Sequence, residues 1–127
     1  MVSLLVDTNI LVDLLRNYPP ATKWLNALGN TNIGISSIVY MEIIQGAPNK
    51  AELSVAIRFL AQFELIIVND RDQQWAIRQL IKYNLSHHID LNDALIASSA
   101  YRLQLPLYTR NLKHFTPIIP DLVKQPY

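Results

Sequence analysis

Three acids sit in apolar surroundings, far apart in the chain. Asp7 ends the run Val2-Ser3-Leu4-Leu5-Val6. Glu42 lies within Val39-Tyr40-Met41-Glu42-Ile43-Ile44, and Asp93 opens Asp93-Ala94-Leu95-Ile96-Ala97. A buried carboxylate is costly unless a positive group sits beside it. Three of them converging would form a site for a hard cation, Mg²⁺ or Mn²⁺, which prefers carboxylate and water oxygens. Such ions activate water and stabilise the leaving oxygen in phosphodiester cleavage. Zinc is disfavoured: there is no cysteine, and His87, His88 and His114 lack the spacing of a ligand pair.

Each acid also has a plainer reading. Asp7 can cap the helix that follows it, and Glu42 can face solvent. Asp90 and Asp93 have the three-residue spacing of an N-cap and an N3 position, and the helix dipole favours negative charge there. Capping accounts well for Asp90. It accounts less well for Asp93, which abuts an apolar run and points back past the helix start.

The elements that must position these residues follow from the pattern. Val2–Val6 reads as a strand buried on both faces. In such sheets ligands bind beyond the carboxyl ends of the strands, so Asp7 stands where chemistry happens. Residues 9–16 read as a helix with Thr8 as N-cap. A second helix opens at Pro19-Pro20 and closes at Gly29. Asn32–Ser36 is a strand. Ser36 or Ser37 then caps the helix carrying Glu42, which stops at Gly46. Residues 51–62, 70–85 and 91–103 read as helices, and 65–68, 105–108 and 118–119 as strands. Strand–helix alternation predicts a three-layer α/β/α fold around a mainly parallel sheet, with residues 1–127 as a single domain.

The chain has 127 residues, 50% hydrophobic and 17% charged, with a net charge of +1. That apolar balance suggests surface covered by a partner. Helices 51–62 and 70–85 carry apolar stripes that predict a homodimer. No signal peptide or membrane-length apolar run is visible. With no cysteine to form a disulfide, a reducing cytoplasm is the expected location.

Taken together, Val6-Asp7-Thr8-Asn9, Ser37 with Glu42 and Gly46, Asp93-Ala94-Leu95-Ile96-Ala97 and Thr109-Arg110-Asn111-Leu112-Lys113-His114-Phe115 resemble the PIN domain. Within that superfamily the chain is most similar to the VapC-type toxins of bacterial toxin–antitoxin modules. The resemblance runs from about Val2 to Ile119. It implies an α/β/α nuclease fold, Mg²⁺- or Mn²⁺-dependent RNA cleavage, homodimerisation and a cognate antitoxin. It places the metal-binding, catalytic acids at Asp7, Glu42 and Asp93. Where the family often has a fourth acid, this chain has Asn111, which brings no charge, and Asp90 is a candidate substitute. Thr8, Asn9, Ser37 and Thr109 are candidates for orienting carboxylates or waters, although Thr8 and Ser37 equally suit capping. Arg110 and Lys113 are candidate RNA contacts. His114, beside Phe115, is expected to be packed or hydrogen-bonded rather than catalytic.

Three other readings compete. A receiver-like phosphoacceptor would need an acidic pair near the first strand end and a lysine after the last strand. An aspartyl-nucleophile phosphohydrolase would favour Asp-x-Asp where this chain has Asp7-Thr8-Asn9. A PIN-like RNA-binding protein with lost catalysis is suggested by Asn111.

Overall fold

Leu4–Val6 form the first strand, β1, and all three residues are buried. The computed structural model describes residues 1–127. Asp7 ends β1 and caps α1 (Thr8–Leu15), its side chain accepting from the Thr8 amide. The cap is therefore Asp7 rather than Thr8. A carboxylate next to the first free amides satisfies one of them and meets the positive end of the helix dipole.

Pro19–Leu28 form α2, with proline in the first turn and Gly29 at the exit. Gly29 has φ 61°, a left-handed conformation that suits a residue without Cβ. Ile33–Ser36 form β2, and Ser36 caps α3 (Ser37–Gln45) through its hydroxyl. Lys50–Leu60 form α4, Glu64–Ile66 form β3, and Asp70–His87 form α5. Leu91–Leu103 form α6, as the sequence predicts. Leu107–Tyr108 form β4, Leu112–Phe115 form the short α7, and Val123–Lys124 form β5.

The five strands make one sheet in the order β3-β2-β1-β4-β5. Every pairing is parallel, in register Leu5↔Gly34, Ile35↔Leu65, Leu5↔Leu107 and Leu107↔Val123. Seven helices flank the sheet. Gly34 is needed at its place in β2: an added Cβ would lie 2.9 Å from side-chain atoms of both Leu5 and Val2.

The last strand differs from expectation. Ile118 and Ile119 are buried but lie in a turn, while the strand is Val123–Lys124. Pro117 and Pro120 flank the isoleucines, and proline offers no amide to a ladder. The apolar pair fills the core without joining the sheet. The helix α7 was also not predicted; four residues are too few to show a period.

One buried acid serves the fold. Asp72, 2% exposed, receives Arg102 Nε at 2.9 Å and Nη2 at 3.1 Å, and completes a capping box with Asn69. This two-point pairing answers the charge within the protein.

Candidate active site

The parallel order places the ends of β1, β2 and β4 on one side of the sheet. Asp7 leaves the end of β1, Glu42 projects from α3, and Asp93 stands in the first turn of α6. All three line one pocket of about 420 Å³, together with Thr8, Asn9 and Asn111. The fold thus brings together acids 35 and 51 positions apart in the chain.

Each carboxylate is held by neutral donors. Asp7 Oδ1 accepts from the Thr8 amide at 2.7 Å, and Oδ2 from the Thr109 hydroxyl at 2.8 Å. Glu42 Oε1 accepts from the Thr8 hydroxyl at 2.7 Å, and Oε2 from the Asn92 amide group at 3.5 Å. Thr109, fully buried, also accepts from Asn9 Nδ2 at 3.3 Å and from the Asn111 amide at 3.0 Å. Asn9 Oδ1 accepts from the Arg110 amide at 3.3 Å.

No lysine or arginine pairs with Asp7, Glu42 or Asp93. The one basic contact is His114 Nδ1, 3.1 Å from Asp93 Oδ2. Burial raises the Asp7 carboxyl above its ordinary value; hydrogen bonds from Thr109 and Thr8 lower it, and the Glu42 charge raises it. Burial and then the Asp7 charge push Asp93 up to about 6, while His114 pulls the other way. Crowded like charges disfavour ionisation. In this they differ from Asp72, which has its arginine.

These residues fit a hard divalent cation. The donors are oxygens, they share a pocket, and no lysine or arginine pairs with them. They do not close into a ready-made cage of three or more ligands. Mg²⁺ needs no such cage, because it keeps several waters and takes one or two carboxylates plus substrate phosphate.

The remaining predicted residues fall into two groups. Thr8 donates to Glu42 and Thr109 to Asp7, while Asn9 reaches the acids only through Thr109. Asn111 lines the pocket with an uncharged side chain. Asp90 is exposed and caps α6 through the Asn92 amide at 3.2 Å. Ser37 is directed elsewhere: its hydroxyl accepts from the Val68 amide at 3.1 Å, tying the chain after β3 to α3. Arg110 is engaged with Asp13, Nη1 to Oδ2 at 2.9 Å, and lies against the rings of Tyr18 and Tyr127. Lys113 is exposed and forms no ion pair.

Three residues at the site are not singled out by the sequence: Asp13 and Arg16, which line the pocket, and Asn92, which donates to Glu42. Asn92 adjoins Asp93 and was open to notice. Asp13 and Arg16 continue the face of α1 that starts at Asn9, at spacings of four and three.

The PIN domain pattern matches residues 4–115. The chain belongs to the PIN-domain family. Within it, the chain groups with the VapC ribonucleases. It is 35% identical to ribonuclease VapC19 of Mycobacterium tuberculosis over 126 residues, 97% of this chain and 98% of that one. The PIN fold is shared with solved structures. A toxin–antitoxin complex from Klebsiella pneumoniae superposes with a TM-score of 0.77 at 31% identity, covering 98% of each chain. VapBC2 from Rickettsia felis, bound to a promoter DNA fragment, gives 0.80 at 28% identity with the same coverage. No helix of this PIN protein is long and apolar enough to cross a membrane.

Proposed function

We propose that this PIN protein is a Mg²⁺- or Mn²⁺-dependent endoribonuclease and the toxin of a toxin–antitoxin pair, acting in the cytoplasm. The observation that carries the reading is one pocket lined by Asp7, Glu42 and Asp93 with no lysine or arginine paired to them. These three acids would hold the ion. When bound, the ion activates a water for attack on phosphorus and neutralises the oxygen that leaves.

The chain's own residues supply orientation. The Thr109 hydroxyl fixes one face of Asp7, and the Thr8 hydroxyl fixes Glu42. Asn9 holds Thr109 from the other side. These contacts keep the acids' remaining lone pairs directed at the pocket. Lys113, exposed on α7, is a phosphate contact in this reading.

Similarity to the toxin–antitoxin complex from Klebsiella pneumoniae and to VapBC2 from Rickettsia felis supports an antitoxin partner for this chain. A homodimer is supported by Ile77, Ile81 and Leu85, which stand at four-residue spacing on α5 and are 53%, 80% and 89% exposed. Val55 and Ile57 on α4 add to the apolar surface. Light scattering at micromolar concentration should report a dimer; a monomer would contradict this part.

Metal dependence tests the reading. RNA cleavage should stop with EDTA and return with excess Mn²⁺. Asn111, uncharged in the pocket, favours one alternative: a PIN-like RNA-binding protein with weakened catalysis. Metal-dependent RNA binding without cleavage would select that alternative.

A further inference from the structure

The acidic pocket has one cation among its lining residues, Arg16. Arg110, the arginine that the sequence suggests for RNA contact, is held by Asp13 and two aromatic rings. Arg16 has no such partner: its exposed side chain takes part in no ion pair or hydrogen bond. Its main chain is nonetheless fixed, because the Arg16 amide caps α1 by donating to Val12 O at 3.0 Å. A guanidinium on an anchored backbone beside the acids suits a phosphate oxygen, which it can grip at two points.

Arg16 is not the counter-charge of the acids. No ion pair joins it to Asp7, Glu42 or Asp93. Arg16 also lines a second pocket of about 560 Å³, which shares Thr8, Val12 and Glu42 with the first. Beyond Arg16 that pocket offers Val55, Ala56 and the acid Glu52, so it provides no second cation. A polyanion crossing this rim meets one positive side chain.

We propose that Arg16 binds an RNA phosphate next to the scissile one and so positions the strand over Asp7, Glu42 and Asp93. The inference rests on the ribonuclease reading and adds a substrate-positioning residue to it. Arg16 would touch RNA without taking part in the bond change.

The test compares wild type, Arg16→Ala and Arg16→Lys on a single-stranded RNA that the wild type cuts in Mn²⁺. Arg16→Ala should raise KM about tenfold and leave kcat within about twofold. The salt dependence of RNA binding should lose about one counterion's worth of slope. Arg16→Lys should recover the slope and part of KM. Mn²⁺-induced stabilisation should be the same in all three. An Arg16→Ala protein with wild-type KM and salt slope would overturn the inference while the wild type's cleavage upholds the ribonuclease reading. A fall in kcat with unchanged KM, or a lost Mn²⁺ response, would show Arg16 acting through the acids and would also overturn it. A wild type that cuts no RNA in Mn²⁺ would overturn the ribonuclease reading itself, and the inference with it.

Discussion

Thr109 donates its hydroxyl to Asp7 Oδ2 at 2.8 Å, joining residues 102 positions apart at the ends of β4 and β1. The Asp7 amide donates to Tyr108 O at 2.9 Å, so main chain and side chain lock the same junction. Thr109 is also the acceptor for Asn9 and Asn111. One buried hydroxyl therefore sets the direction of a carboxylate and of two neighbouring amides.

Replacing Thr109 with valine keeps the shape and removes that hydroxyl. The Asn111 amide and Asn9 Nδ2 would lose their acceptor, and Asp7 would lose a donor. Buried polar groups left unmatched cost about 1–3 kcal/mol. Thr109→Val should lower stability by about that amount in urea titration and reduce RNA cleavage. Thr109→Ser should restore both. Valine at wild-type stability and activity would show the contact to be incidental.

Asp90 should matter for folding more than for chemistry. Its side chain caps α6 from an exposed position. Asparagine caps about as well as aspartate, whereas alanine loses about 1 kcal/mol. Asp90→Asn should keep most activity, and Asp90→Ala should unfold at lower denaturant. If folded Asp90→Asn is as inactive as Asp93→Asn, Asp90 belongs with the metal ligands.

Much of this was legible in the sequence because it is local. The strand ending at Asp7, the proline and glycine bounding α2, and Asp90 at the start of α6 each depend on neighbours within a few residues. The order of the acid-bearing segments was readable too, and so was their meeting at the strand ends. What was hidden depends on distant encounters. Arg110 reads as a free cation until Asp13, 97 positions away, pairs with it. Tyr127 donates to the same Asp13 at 2.5 Å across 114 positions, and no pattern in the chain announces it. Ile118-Ile119 misled because an apolar pair looks alike in a strand and in a buried turn.

The metal-free protein should depend on pH in a direction set by Asp93. Its folded-state carboxyl stands at about 6, against 3.8 for the ordinary group. A raised carboxyl binds its proton more tightly in the folded state. Its contribution therefore favours folding below about pH 4 and is lost as pH rises through 6. Asp7 is raised as well and acts in the same sense. Protons and metal compete for these oxygens. The Mn²⁺-induced rise in Tm should be larger at pH 7.5 than at pH 5. An equal rise at both would place the bound ion away from Asp93.

In the proposed reading Asp7 would hold the ion that activates water for RNA cleavage. The most direct measurement is RNA cleavage by wild type and Asp7→Asn in Mn²⁺, with melting of each protein in EDTA and in Mn²⁺ as its internal control. Without metal, the variant removes a crowded charge, so it should be as stable as wild type or more so, by about 1 kcal/mol. Metal should stabilise the wild type by linkage and the variant much less. The expected result is a folded Asp7→Asn protein that does not cut RNA. A folded variant that cuts RNA at the wild-type rate would contradict it.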